Sequence, residues 1–130
     1  MRDPARFWDK LSTRYAKMPV QNEAAYATTL DRTRTYLRPA DSALEVGCGT
    51  GTTALALAPA VASYRATDIS GGMIEIARAK ATETPVEFAQ AGLDDDGRAA
   101  TYDVVLAFNL LHLIGDLDGA LTEISDRIKP

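Results

Sequence analysis

The residues with the most chemistry to offer lie between Glu45 and Gly51. A carboxylate, Glu45, is followed by glycine at every second position: Gly47, Gly49 and Gly51. Glycine lacks a Cβ, so such a loop can take positive φ and let a ligand lie close against the backbone. The run from Thr52 to Ala58 reads as a helix, and its first N–H groups, which have no partner within the helix, would face that ligand. Apolar strand, glycine loop and helix together open a nucleotide-binding α/β unit. A tight turn after a strand is the plainer reading of the same glycines. Asp68 follows Gly49 by 19 positions, close to the spacing of about 20 at which an acid reaches ribose hydroxyls. Capping of Ser70-Gly71-Gly72 is the plainer role for it. Gly92-Leu93 could set backbone amides against an adenine edge and a side chain over its face. Asn109 falls at the same rim, as a contact or as a cap. His112, the single histidine, is the candidate general base, and a packing residue within Leu110-Leu111-His112-Leu113-Ile114 is the plainer reading of it. Cys48 is the single cysteine; its small size suits the loop, whereas a nucleophile would need a base partner.

These groups need elements to position them. Phe7, Trp8, Leu11 and Tyr15 recur at helical spacing across Pro4–Lys17 and predict a helix with an aromatic face, which Pro19 breaks. Trp8, Tyr15 and Tyr26 could line a pocket or simply belong to the core. A second helix is expected up to about Leu37, with Tyr26, Leu30 and Leu37 on one face and Arg38-Pro39 ending it. From Ser42 the pattern becomes short strands alternating with helices. Strands are expected at Ala43–Val46, Val61–Thr67, Val86–Gln90 and Tyr102–Phe108, and helices at Thr52–Ala58, from Met73 to Ala81 behind a Ser70 cap, and at Asp118–Ile128. Val86–Gln90 alternates as an edge strand does, while Tyr102–Phe108 is apolar as in a strand covered on both faces. Gly92–Arg98 reads as an acidic turn region. The order predicts a doubly wound, mostly parallel α/β sheet with its ligand at the carboxyl ends of the strands. An N-terminal helical cap over residues 1–40 and a core over 41–130 make a single domain.

Composition narrows the function classes. The chain has 130 residues, 46% hydrophobic and 25% charged, and a net charge of −4, the make-up of an ordinary globule that offers no basic surface for nucleic acid. One cysteine and one histidine cannot form a disulfide or a zinc ligand set. No apolar segment suits a signal peptide, and Val104–Ile114 is too short to span a bilayer. A cytoplasmic protein without metal, nucleic-acid partner or membrane partner is the expectation.

Leu44-Glu45-Val46-Gly47-Cys48-Gly49-Thr50-Gly51 resembles the first motif of class I S-adenosylmethionine-dependent methyltransferases. Ala66-Thr67-Asp68-Ile69-Ser70 with Met73 resembles their second. Tyr102-Asp103-Val104-Val105-Leu106 with Asn109-Leu110-Leu111-His112 resembles the fourth-strand motif of the small-molecule branch, and Phe7-Trp8-Asp9-Lys10 with Tyr15-Ala16 its lead-in. The resemblance implies S-adenosylmethionine as cofactor and a small-molecule acceptor. It implies Glu45 near the methionyl amino group, backbone approach at Gly47, Cys48 and Gly49, and ribose hydroxyls on Asp68. Ile69, Met73, Gly92 and Leu93 would surround the adenine and ribose, with Asn109 at the rim and Tyr15 closing over the carboxylate. Many relatives carry an acid where Gly92 stands; Asp94 is the candidate replacement. The nicotinamide alternative asks for G-x-G-x-x-G, whose third glycine is Thr52 here, and an acid such as Glu45 suits an ammonium better than a pyrophosphate.

Relatives of this kind continue beyond a Lys-Pro such as Lys129-Pro130 into further strands. The expectation is a fold truncated after its fourth strand and helix, with an apolar edge at Tyr102–Phe108 that invites self-association or completion by another chain. A cofactor-binding module without turnover is the alternative function.

Overall fold

A computed structural model describes residues 23–92, 101–108 and 126–129. The first predicted helix, the acidic turn beyond Gly92 and most of the last predicted helix lie outside the described residues. Helix α1 spans Glu23–Arg34, with Glu23 in its first turn and Arg32 and Arg34 in its last, the arrangement that suits the helix dipole. It ends earlier than the sequence suggests. Thr35, Tyr36 and Leu37 continue it only through tighter bonds to carbonyls three residues back, as expected ahead of Arg38-Pro39. Leu30 is its one buried residue.

Strand β1 (Ser42–Val46) leads through the glycine loop into the short helix α2 (Thr52–Leu57), and Ala58–Ala60 add a 3₁₀ turn that accommodates Pro59. Strand β2 (Ser63–Asp68) runs to helix α3 (Gly71–Lys80), and strand β3 (Val86–Gln90) follows. The expected Ser70 cap is present: its Oγ accepts from the Met73 N–H at 3.1 Å, satisfying one of the donors a helix start leaves over. Met73, Ile74 and Ala77 form the buried stripe of α3.

Among the described residues, the strands make one parallel sheet in the order β3-β2-β1-β4, with β4 at Val104–Leu106. Side chains alternate across a strand, so register decides what each face holds. Ala43 pairs with Tyr64 and Glu45 with Ala66, while Ala66 lies opposite Phe88 and Glu45 opposite Leu106. That face packs with Leu30, Ala54, Leu57, Ile74 and Ala77 of the helices. On the opposite face Leu44, Val46 and Tyr102 form a second cluster. The central β1 is buried from Ala43 to Val46, as a strand covered on both faces should be, and β3 takes the edge position its alternation predicts.

The fourth strand differs from its expected extent. Its ladder covers Val104–Leu106 rather than Tyr102–Phe108. Asp103 still pairs inward, its N–H donating to the Ser42 carbonyl, but Tyr102 turns its backbone outward. The Tyr102 N–H donates to the Arg127 carbonyl and the Tyr102 carbonyl accepts from the Lys129 N–H, a parallel bridge with Ile128. Two expectations change accordingly. The last helix does not reach Ile128, and the outer edge of β4 is paired at its beginning. Lys129 Nζ sits 3.4 Å from Asp103 Oδ1 across the same junction.

Gly51 is the tightest point of the core. Its φ is +83°, and a Cβ there would lie 2.8 Å from Phe88 Cζ and 3.0 Å from the Ala77 Cβ. Gly51→Ala therefore combines a disfavoured backbone with a ring clash and should cost on the order of 2–3 kcal/mol of unfolding free energy. Denaturant unfolding checks this, and Phe88→Leu in the same chain should make the combined loss smaller than the sum of the two.

Candidate functional site

The glycine loop is folded as its composition suggests. Gly47, Gly49 and Gly51 have φ of 70°, 57° and 83°, a left-handed region that other residues enter only at a cost. Three bonds hold the loop. The Cys48 N–H donates to the Thr67 carbonyl at 2.9 Å, the Gly51 N–H to the Cys48 carbonyl, and the Gly49 N–H to Asp68 Oδ2 at 2.9 Å. These three N–H groups are thus engaged within the fold, and α2 starts directly behind the loop with no side-chain cap on its first turn.

Asp68 serves the plainer role assigned to it and a further one. Its Oδ1 accepts from the Ser70 N–H at 2.9 Å, which turns the chain into α3. Its Oδ2 ties down the glycine loop. Each carboxylate oxygen can accept more than one hydrogen bond, so these roles leave its use toward ribose hydroxyls chemically open. Ile69 beside it is 37% exposed, whereas Met73 is 2% exposed. Of that pair, Ile69 is the one that offers surface to a ligand.

Glu45 occupies an unusual setting. It is 2% exposed, on the helix-covered face of the sheet, and its Oε1 accepts from the Tyr64 hydroxyl at 2.6 Å. No lysine, arginine or histidine pairs with it among the described residues. Burial pushes its carboxyl up to about 7, the Tyr64 hydrogen bond pulls it down, and the charge of Asp68 raises it again. Burial also raises the Tyr64 hydroxyl and the Cys48 thiol, with Glu45 adding to both. Cys48 is thus an inert small residue of the loop, its Sγ turned to the Gly49 carbonyl at 3.7 Å.

Three supporting contacts carry no sequence signature. The Tyr26 and Thr53 hydroxyls share a hydrogen bond of 2.6 Å that seats α1 on the start of α2. Arg34 Nη2 donates to the Ala56 carbonyl farther along α2. Lys80 Nζ reaches Thr52 Oγ1 at 3.0 Å and Thr50 Oγ1 at 3.5 Å, and its partial burial lowers its pKa. Tyr64 itself escaped the sequence reading, because a tyrosine in an apolar strand reads as core until the register of β1 and β2 is known. Gly92 is half-buried just past β3. Tyr15, Leu93, Asp94, Asn109 and His112 lie outside the described residues. The structure thus brings together Glu45, Gly47, Cys48, Gly49 and Asp68 at the carboxyl ends of β1 and β2, where a doubly wound sheet binds its ligand.

Comparison with known proteins agrees with this geometry. Residues 43–130 match the methyltransferase domain family. Lovastatin diketide synthase lovF of Aspergillus terreus is 32% identical over 119 residues, covering 82% of this chain and 5% of that protein. The malonyl-[acyl-carrier protein] O-methyltransferase of Priestia megaterium is 27% identical over 127 residues, covering 96% of this chain and 46% of that protein. Among solved structures, DhpI in complex with SAH matches with a TM-score of 0.81 and 23% identity, over 97% of this chain and 62% of that one. The chain thus spans less than half the length of these two curated relatives. The family match establishes that the chain belongs to the methyltransferase domain family, and it shares its fold with that solved structure.

Proposed function

We propose that this site binds S-adenosylmethionine and supports methyl transfer to a small-molecule acceptor. The observation that carries the reading is the Glu45 carboxylate, buried at the end of β1 before a loop of three positive-φ glycines and without a cation beside it among the described residues. A ligand that places an ammonium beside that carboxylate supplies the missing charge, and the site residues fit such a ligand. Glu45 holds the amino group, and Gly47, Cys48 and Gly49 present backbone to the amino-acid tail. Asp68 accepts from the ribose hydroxyls. Ile69, Gly92 and Leu93 enclose the adenine and ribose, Asn109 closes the rim, and Tyr15 covers the carboxylate.

When bound, S-adenosylmethionine supplies a methyl group on a sulfonium, already a good leaving group. The demand on the chain is therefore orientation of cofactor and acceptor. His112 is the candidate base where the acceptor must lose a proton. A nicotinamide dinucleotide fits less well, because Glu45 would face a pyrophosphate and Thr52 replaces the third glycine of its fingerprint. The malonyl-carrier relative suggests acyl groups as the first acceptors to screen, and the acidic chain argues against nucleic acid. No helix among the described residues is long and apolar enough to cross a membrane, and a cytoplasmic location is consistent with that.

Binding without turnover is the second reading. It is favoured by a groove of about 490 Å³ along β4, lined by Thr29, Arg32, Thr33, Tyr36 and Leu37 of the α1 segment and by Val104–Phe108. Such a groove beside an apolar strand suits sheet completion by another chain or self-association. Light scattering should then show association that grows with concentration; a monomer at every concentration rejects it.

Calorimetry distinguishes the ligand readings. S-adenosylmethionine and S-adenosylhomocysteine are expected to bind and NAD to fail; binding of NAD alone rejects the proposal. Asp68→Ala should weaken cofactor binding by about 1–3 kcal/mol, and an unchanged affinity removes Asp68 from the ribose site. Methyl transfer to an acyl acceptor, followed by mass spectrometry, separates the enzyme from the binding module.

A further inference from the structure

The pair Glu45–Tyr64 does more than fill the core. Glu45 is 2% and Tyr64 3% exposed, and the hydrogen bond between them is 2.6 Å long. Around the carboxylate stand Tyr64 and Asp68 from β2 and Cys48 from the loop, with apolar Leu106 beside it in register on β4. Tyr26 of α1 is near enough to Tyr64 to act on its hydroxyl. None of these groups is a cation. Tyr64 keeps its proton, so toward a carboxylate it can only donate. It fixes Oε1 and leaves Oε2 without a protein partner among the described residues.

Resting on the reading of this site as one that receives the amino-acid tail of S-adenosylmethionine, we propose that Tyr64 is a positioning residue for Glu45 and that the pair exchanges a proton for the ligand's ammonium group. In the empty site the Glu45 carboxyl holds its proton over part of the neutral range. As the ammonium enters, the O–H bond of the carboxyl breaks, the proton passes to solvent, and the carboxylate keeps the electron pair and faces the cation. The physical basis is the balance at this position. Burial disfavours the charged form and a nearby Asp68 adds to the penalty, whereas an opposite charge at short range favours it by roughly 1–3 pKa units. Tyr64 lowers the cost of ionisation by donating to the charged form, and so sets the pH at which the exchange occurs.

Proton release is readable without any turnover. Calorimetric binding of S-adenosylhomocysteine at pH 7, in buffers of different ionisation enthalpy, should show release of about half a proton, since the empty-site carboxyl lies at about 7. The release should increase toward pH 6 and fade above pH 8. Methylthioadenosine, which lacks the amino-acid tail, should bind with no release, and Glu45→Gln should abolish the release with S-adenosylhomocysteine. Tyr64→Phe should move the release to higher pH and weaken affinity several-fold more at pH 7 than at pH 9. A purely structural tyrosine would weaken it by the same factor at both.

A binding enthalpy for S-adenosylhomocysteine that is independent of buffer overturns the proton exchange. Failure of both ligands to bind overturns the cofactor reading instead, and a ligand-free measurement then decides the remainder. A carboxyl raised in the folded state contributes stability below its ordinary value of 4.5 and loses that contribution as pH rises through about 7. The unfolding midpoint of the parent should therefore fall relative to that of Glu45→Gln between about pH 5 and pH 8. Parallel curves reject a protonated Glu45.

Discussion

The parallel register of β1 against β2 is the constraint on which the site rests. Three contacts that shape the site cross that seam. Tyr64 meets Glu45, the Thr67 carbonyl takes the Cys48 N–H, and Asp68 takes the Gly49 N–H. A slip of one residue would turn each β2 side chain to the opposite face. Tyr64 would leave the carboxylate, and Arg65, whose partner is Glu87 on β3, would enter the helix-covered core. The apolar cost of that exchange fixes the register, and the register in turn fixes the polar site. Gly51 contributes from the other end, since the close approach of the Phe88 ring and Ala77 leaves no room for a side chain where loop becomes helix.

The seam also concentrates negative charge. Glu45 and Asp68 lie near enough to raise the Glu45 carboxyl, and the two are managed differently. Asp68 accepts backbone N–H groups from two directions. Among the described residues Glu45 receives a single neutral phenol, and it is almost out of reach of water. A fold optimised only for stability would place an apolar residue at that position of a central strand. The carboxylate is a local cost, and on the proposed reading of the site a cationic ligand would relieve it.

Much of this was legible in the sequence, for identifiable reasons. The glycines at 47, 49 and 51 announce positive φ because that is the one property glycine alone supplies cheaply. Ser70 announces a helix start, and the alternation of Val86–Gln90 an edge. Glu45 stood out as an acid inside an apolar strand. What stayed hidden depended on pairing between distant segments. Tyr64 is apolar enough to read as core, and only register reveals its hydroxyl as the partner of Glu45. Met73 followed the motif toward the ligand, yet its position on the inner stripe of α3 buries it. The fourth strand read as a run of seven residues, apolar almost throughout, whereas its ladder is Val104–Leu106 because Tyr102 turns its backbone to another segment.

That turn at Tyr102 accounts for the unequal edges of the sheet. The β3 edge carries Glu87 and Gln90 toward solvent, polar side chains of the kind that discourage further pairing. The β4 edge carries Val104, Val105 and Leu106, half-buried, and its ladder hydrogen bonds run to β1 on one side. Immediately before it, the outward N–H and carbonyl of Tyr102 are already taken by Arg127 and Lys129 in parallel register, with Lys129 also paired to Asp103. A parallel bridge sets the direction and offset of any strand that extends from it, since each added pair must follow the same ladder. The apolar character of β4 therefore matches a strand meant to be interior.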